Sequence, residues 1–225
     1  MKYFETFAGV GGFSLGIQNA YGIFNEMEQW GCRQTENELE ASLPMSISKP
    51  HERQHATCIG FSEIDKYASQ VLKYQFPNIK NYGDIKEINW NTVPDFDLLV
   101  GGSPCQDLSI AGKRAGLAGE RSGLFDEYIR ALKEKKPKYF IWENVKGALS
   151  SNGGWDFARV QIEMAEAGYE LWWQVLNATD FGIPQNRKRI FVIGFRGERP
   201  REVFFERGAG EKVVIANTIR TGGQR

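Results

Sequence analysis

A short apolar run that ends in glycines, a proline and a cysteine constrains the fold of this chain more than any other feature. The run is Phe96-Asp97-Leu98-Leu99-Val100, and Gly101-Gly102-Ser103-Pro104-Cys105-Gln106 follows it. Such a run is typical of a buried parallel strand that ends in a tight turn at the carboxyl edge of a sheet. Because proline restricts its own φ and the preceding residue, Cys105 is expected on a stiff turn. It is there either as a nucleophile or as a small buried hydrophobe.

Length and composition predict one good-sized domain, or a domain with a short appendage. The chain has 225 residues, and 41% of them are hydrophobic, which is enough for a sizeable core. It contains no long apolar stretch, and its N-terminus lacks the apolar region of a signal peptide. The three cysteines, Cys32, Cys58 and Cys105, cannot all pair with one another. A cytoplasmic, reducing location is therefore expected.

The charge of the chain is unevenly distributed. The formal net charge is zero, but residues 187–225 contain ten basic and four acidic residues, which leaves this end with a net charge of +6. A basic end is suited to contact phosphates, and a solvated charged tail is the alternative.

A glycine-rich turn follows the first expected strand, Lys2 to Phe7. The turn is Ala8-Gly9-Val10-Gly11-Gly12, and a helical pattern continues through Ile17 and Phe24. Strand, glycine turn and helix form the nucleotide-binding opening of a doubly wound sheet, in which the helix N-terminus offers free N–H groups. The glycine spacing differs from the regular dinucleotide pattern, which disfavours a dinucleotide.

An acidic residue ends the second expected strand, Cys58 to Ser62. Glu63 at such a strand end is positioned to accept hydrogen bonds from ribose hydroxyls. The alternative is that Glu63 caps the helix that begins near Lys66. Residues 26–57 are expected to form an insertion before this strand. That insertion holds Cys32, His51 and His55, which with Cys58 leave a zinc site as a weak alternative, because no Cys-x-x-Cys pair is present.

A carboxylate is expected beside the cysteine turn. The apolar run Tyr139-Phe140-Ile141-Trp142 predicts the next strand, with Glu143-Asn144-Val145 at its tip. Since neighbouring parallel strands end at one edge, Cys105 and Glu143 are expected to lie close together. The intervening residues 107–125 have no regular pattern and are expected to form a functional loop.

Three polar residues precede the last expected strand, Ile190 to Gly194. If the backbone is extended, Gln185, Arg187 and Arg189 lie on one face. A basic strand edge that opposes aggregation is the alternative.

In their order and residue types, these motifs resemble those of the DNA cytosine-5 methyltransferases. The resemblance covers about residues 3–196 and rests on Phe-Ala-Gly, Gly-Asp-Ile, Gly-Gly-Ser-Pro-Cys-Gln, Glu-Asn-Val and Gln-x-Arg-x-Arg. It implies a doubly wound, mostly parallel, Rossmann-like α/β fold. The implied activity is methyl transfer from S-adenosyl-L-methionine to carbon 5 of a flipped-out cytosine, through a covalent Cys105 adduct at carbon 6.

The resemblance also implies roles for individual residues. The implied catalytic residues are Cys105, Glu143, Arg187 and Arg189. No metal site is implied. The implied cofactor-binding residues are Phe7, Ala8, Gly9, Gly11, Gly12, Glu63, Ile64, Asp84, Ile85, Pro104 and Leu124. The implied contacts to DNA are Gln106, Ser109, Lys113, Arg114, Arg121 and Gln185.

The sequence departs from the family pattern near its C-terminus. We expect a catalytic domain over residues 1–207 and the start of a truncated target-recognition region over residues 208–225. The expected partners are double-stranded DNA and a second chain that supplies target recognition. The alternatives are an RNA cytosine-5 methyltransferase, such as one acting on tRNA, and a catalytically incomplete half of a split enzyme. An oxidoreductase is disfavoured by the glycine spacing.

Overall fold

The computed structural model describes residues 1–29, 56–104 and 123–197. Within these ranges, six strands form one sheet in the order β2-β1-β3-β4-β6-β5. The strands are β1 Lys2–Thr6, β2 Thr57–Ser62, β3 Leu98–Gly101, β4 Tyr139–Val145, β5 Glu170–Asn177 and β6 Lys188–Phe195.

The sheet is parallel in its first part and antiparallel at one edge. Strands β2, β1, β3 and β4 pair in parallel, whereas β6 runs antiparallel between β4 and β5. The expected doubly wound, mostly parallel α/β fold is therefore confirmed. Strands β5 and β6 can pair in antiparallel because the connection between them, residues 178–187, is short.

In the part of the chain that the structure describes, four α-helices cover the two faces of the sheet. Alternate residues of the central strands point to opposite faces, so Phe4 and Leu99 enter one core while Tyr3 and Leu98 enter the other. The first core packs against α3 and α4, and the second against α1 and α2. In the described ranges, no helix is both long and apolar enough to span a membrane. The helices are α1 Gly12–Gln29, α2 Lys66–Gln75, α3 Gly123–Lys135 and α4 Trp155–Glu166.

Element boundaries differ from the sequence expectation in two places. Helix α1 continues to Gln29 and β2 begins at Thr57, so the segment between them is shorter than the expected 26–57. Strand β4 continues to Val145 because its last residues pair with β6, with Glu143 opposite Phe191. Glu143 therefore lies within a strand, two residues before its end.

Candidate functional site

Strands β3 and β4 bring a glycine and a carboxylate together at one edge of the sheet. Gly101 pairs with Trp142, so the next residues, Gly102 and Glu143, lie side by side. A β-carbon built on Gly102 would lie 2.6 Å from Oε2 of Glu143 and 2.9 Å from its main-chain oxygen. Only glycine allows this approach, and it places Glu143 directly beside the turn that leads to Cys105.

Two buried side chains of β4 hold this turn. Trp142 donates a hydrogen bond from Nε1 to Oγ of Ser103 at 3.1 Å. Asn144 donates from Nδ2 to the main-chain oxygen of Ser103 at 3.3 Å. Ser103 itself is buried. No local sequence pattern predicts a role for these three residues, because the contacts join positions about forty apart.

The carboxylate of Glu143 forms an ion pair with β6. Arg189 lies opposite Val145 in the antiparallel register, on the same face as Glu143, and its Nε lies 2.8 Å from Oε1 of Glu143. Burial raises the pKa of Glu143 above its ordinary value, although the Arg189 and Arg187 guanidiniums oppose the rise. A carboxyl group held beside a fixed cation in this way can exchange a proton with a bound base.

The extended backbone that would put Gln185, Arg187 and Arg189 on one face is not present before Lys188. Strand β6 begins only at Lys188. Before it, the chain bends twice, since the N–H of Gln185 bonds to the oxygen of Ile183 and the N–H of Arg187 bonds to the oxygen of Gln185. Gln185 and Arg187 are exposed, whereas Arg189 is half-buried against Glu143.

The glycine turn after β1 lies against Glu63 at the end of β2. The N–H of Gly9 donates to Oε2 of Glu63 at 2.7 Å. Phe7 and Gly9 both have positive φ, and no heavy atom lies within 4 Å of a β-carbon built on Gly9. The turn therefore presents open main chain beside an acidic side chain. Gly11 instead packs against α2, where its β-carbon would lie 2.8 Å from Phe76.

The alternative that Glu63 caps α2 is wrong. The cap is Asp65, whose Oδ1 accepts hydrogen bonds from the N–H groups of Tyr67 and Ala68 at 2.9 and 2.8 Å. Glu63 accepts from the N–H of Asp65 through Oε1. Each carboxylate oxygen of Glu63 has one backbone donor and retains further acceptor capacity.

A buried carboxylate, which the sequence analysis did not identify, anchors the start of α1. Glu5 is 1% exposed and accepts hydrogen bonds from the N–H groups of Phe13 and Ser14 and from the hydroxyl of Ser14. A carboxylate there satisfies free N–H groups of the first helical turn. Burial raises the pKa of Glu5, and the Ser14 contacts oppose the rise. Glu5 thus fixes the glycine turn between β1 and α1.

The turn with Asp84 lies next to the end of β2 and is held by α3. Oδ1 of Asp84 accepts from the N–H of Lys86 at 2.9 Å, so Asp84 is a turn residue with a second oxygen left over. Arg130 donates to the main-chain oxygens of Ile85 and Ile88 at 2.8 and 3.1 Å. Ile85 is 2% exposed, so it lies in the core.

The remaining predicted residues fall into two groups. Among the described cofactor candidates, Ile64 is 72% exposed, Gly12 and Pro104 are exposed, Leu124 is half-buried and Ala8 is buried. Cys105 and the loop residues Gln106, Ser109, Lys113, Arg114 and Arg121 lie outside the described residues.

The described residues give no support to the zinc alternative. Among them, no cluster of three or more metal-ligating side chains is present. Cys58 is buried in β2, and burial raises the pKa of its thiol to about 11, which disfavours the thiolate. Cys32, His51 and His55 lie outside the described ranges.

Comparison with known proteins identifies the family. The family model for C-5 cytosine-specific DNA methylase matches residues 1–219. The chain belongs to this family. It is 33% identical to the type II methyltransferase M.BsuFI of Bacillus subtilis, an alignment that covers 97% of this chain and 45% of that protein. It is 36% identical to M.HaeII of Haemophilus aegyptius over 98% of this chain and 58% of that protein.

A solved structure supports the fold of this family member. The S. pombe Dnmt2 methyltransferase aligns with a TM-score of 0.59 at 18% identity, over 90% of this chain and 53% of that chain. At this identity the likeness shows a common fold only. The chain spans about half the length of the curated relatives described above.

The family implies S-adenosyl-L-methionine as cofactor, and the described residues fit it. Open space lies over Gly9 and also over Gly83, where no heavy atom is within 4 Å of an added β-carbon. Between these two glycines, Glu63 offers free acceptor capacity and Ile64 an exposed apolar surface. The chemistry of this surface, with acceptors for hydroxyl and amino groups beside an apolar side chain, suits an adenosine group.

Proposed function

We propose that this chain carries the cofactor-binding and catalytic part of an enzyme that methylates carbon 5 of cytosine in DNA. The observation that carries the proposal is the contact between Gly102 and Glu143, which puts a carboxyl group with a raised pKa beside the turn that leads to Cys105. Family membership supplies the reaction class.

The reaction needs both a thiolate and a carboxyl group. Carbon 5 of cytosine is a poor nucleophile until a thiolate adds to carbon 6. Cys105 takes this role, and the bond it forms moves electron density to N3 and carbon 5. A protonated Glu143 donates to N3 and so relieves the charge. After methyl transfer, a base such as water removes the carbon 5 proton, and the bond to the Cys105 sulfur breaks.

Arginine residues complete the proposed site. Arg189 holds the Glu143 carboxyl group in place through the 2.8 Å contact, next to where a flipped cytosine would lie. The exposed Arg187 and Gln185 lie just before Arg189 and are suited to contact DNA. Lys113, Arg114 and Arg121, with Gln106 and Ser109, are proposed to contact the phosphates and bases around the cytosine.

The cofactor lies along the β1 and β2 strand ends in this proposal. When bound, S-adenosyl-L-methionine supplies the methyl group as an electrophile. Glu63 accepts from the ribose hydroxyls, and Asp84 accepts from the adenine amino group. The glycine turn from Gly9 to Gly12 lies along the methionine part, while Phe7, Ile64 and Ile85 flank the adenine. Pro104 and Leu124 are the remaining residues proposed to contact the cofactor.

The proposal includes the partners of the chain and its location. Double-stranded DNA is the substrate, and a second chain with a target-recognition region is the proposed protein partner. A cytoplasmic location is proposed from the odd number of cysteines.

A transfer assay tests this function. The 225-residue chain is incubated with radiolabelled S-adenosyl-L-methionine and either double-stranded DNA or tRNA, alone and with a chain that carries a target-recognition region. The proposal predicts label on carbon 5 of cytosine in DNA. Label on tRNA alone would favour the RNA alternative, and activity only in the mixture would identify a split enzyme. Absence of label under every condition would refute the proposed activity.

A further inference from the structure

One side chain joins the two turns that face the proposed adenosine site. Asn81 accepts hydrogen bonds at Oδ1 from the N–H groups of Glu63 and Gly83, both at 3.1 Å. Its Nδ2 donates to the main-chain oxygen of Glu63 at 2.9 Å and to Oγ of Ser69 at 3.1 Å. The amide thus contacts both main-chain groups of Glu63 and the residue before Asp84.

These contacts begin where the main-chain pairing ends. Asn81 pairs with Phe61 in a single parallel bridge, and the N–H of Tyr82 donates to the oxygen of Phe61 at 2.8 Å. Beyond this point, the two segments are joined through side chains. Ser62 donates from Oγ to the oxygen of Gly83 at 2.8 Å, and Asn81 makes the remaining links. Only a side chain with both a donor and an acceptor can replace the main-chain hydrogen bonds between two strands in this way.

We infer that Asn81 is a positioning residue, which sets the distance and orientation between Glu63 and the Gly83–Asp84 turn for the adenosine part of the cofactor. The inference rests on the proposed function. Since Glu63 and Asp84 are proposed to hold opposite parts of one rigid ligand, a shift between them weakens both interactions. Asparagine meets the requirement because Oδ1 accepts from both turns while Nδ2 holds the Glu63 carbonyl.

Calorimetric titration of the 225-residue chain with S-adenosyl-L-homocysteine tests this inference. We expect Asn81→Ala to weaken binding roughly 10-fold, as the loss of well-formed hydrogen bonds implies. Asn89→Ala is the matched control, since Asn89 also accepts from a backbone N–H, that of Asn91, at 3.1 Å but lies on an exposed turn. Its affinity should equal that of the wild type.

A second variant and a double mutant separate positioning from general stability. Asn81→Asp retains acceptors for both N–H groups but loses the donor to the Glu63 carbonyl, so an intermediate loss of affinity is expected. If Asn81→Ala does not fold, Asn81→Asp carries the test. In a Glu63→Ala chain, Asn81→Ala should weaken binding by only about 3-fold, because part of its effect acts through Glu63.

Unchanged affinity in the folded Asn81 variants would overturn the inference. So would an undiminished effect of Asn81→Ala in the Glu63→Ala chain. If the wild-type chain has no affinity for S-adenosyl-L-homocysteine, the proposed cofactor site itself fails, and the role of Asn81 fails with it.

Discussion

Gly102 faces both the carboxylate and the main-chain oxygen of Glu143, at distances that leave no room for a β-carbon. Gly102 directly follows β3, and Glu143 lies near the end of β4, so the ends of two neighbouring parallel strands meet through this pair. Because Cys105 comes three residues after Gly102, the contact fixes where the turn toward Cys105 starts relative to Glu143. The account of the site depends on this relationship.

Substitution of Gly102 should therefore abolish activity. In Gly102→Ala, the new methyl group would lie 2.6 Å from Oε2 of Glu143, so the turn or the carboxylate must move. We expect methyl transfer to fall at least about 100-fold, since small misplacements in a site have effects of this order. Rates are measured in single turnover, and cofactor affinity by calorimetry.

The control is Gly16→Ala on an exposed position of α1, where no heavy atom lies within 4 Å of the added β-carbon. It should keep wild-type activity and raise the free energy of unfolding by roughly 0.5–1 kcal/mol, because alanine favours the helix. Wild-type rates in Gly102→Ala would show that the contact is not needed.

Protonation of Glu143 should be visible in the pH dependence of the rate. Burial raises the pKa of this carboxyl group, so it keeps its proton to a higher pH than an exposed glutamate does. If the protonated form donates to N3, the rate falls as the pH rises through that pKa. In Glu143→Gln, methyl transfer should be much slower, and its rate should no longer fall as the pH rises. A pH–rate profile of single-turnover transfer measures both, and an unaltered profile would remove the proton-donor role.

Loss of the Glu63 side chain should weaken binding of the cofactor. Glu63→Ala removes the proposed ribose acceptor together with the partner of the Gly9 N–H. We expect binding of S-adenosyl-L-methionine to weaken by roughly 1–3 kcal/mol. Isothermal calorimetry provides the value, with Glu166→Ala at the exposed end of α4 as the control. Equal affinity of Glu63→Ala and wild type would refute the ribose assignment.

Two basic residues of α3 make a matched pair for the Asp84 turn. Arg130 bonds to the oxygens of Ile85 and Ile88, while Lys135 bonds to the oxygen of Val93 at 2.9 Å. Both alanine variants should lower the free energy of unfolding by roughly 1–3 kcal/mol. Only Arg130→Ala should also weaken cofactor binding, because only its carbonyl partners lie next to Asp84. Equal cofactor affinities in the two variants would contradict this reading.

The ends of β2, β3 and β4 were predictable from sequence because each is marked by an apolar run followed by glycine or an acidic residue. This signal predicts the positions of Gly102 and Glu63, and it predicts that Glu143 lies at the same edge of the sheet. The full length of β4 could not be predicted in this way. The apolar run ends at Trp142, whereas pairing with β6 extends β4 to Val145.

The contacts that support the site were not predictable from local pattern. Asn81 resembled any turn residue, and Arg130 any exposed helix charge, because their partners are 18 and 45 residues away in sequence. The bends at Gln185 and Arg187 were also not predictable. Alternate spacing of Gln185, Arg187 and Arg189 is typical of a strand, but it does not show where pairing with a neighbouring strand begins.

Covalent trapping tests the central claim most directly. The chain is incubated with S-adenosyl-L-methionine and DNA in which every cytosine is replaced by 5-fluorocytosine, so that any target sequence is present in trappable form. Fluorine at carbon 5 cannot leave as a proton does, so the sulfur remains bonded to carbon 6. The account predicts an adduct that mass spectrometry maps to Cys105, absent in Cys105→Ser and still formed in Cys58→Ser. The account is contradicted if a chain that binds the cofactor forms no adduct, either alone or mixed with a chain that carries a target-recognition region. An adduct that persists in Cys105→Ser would also contradict it.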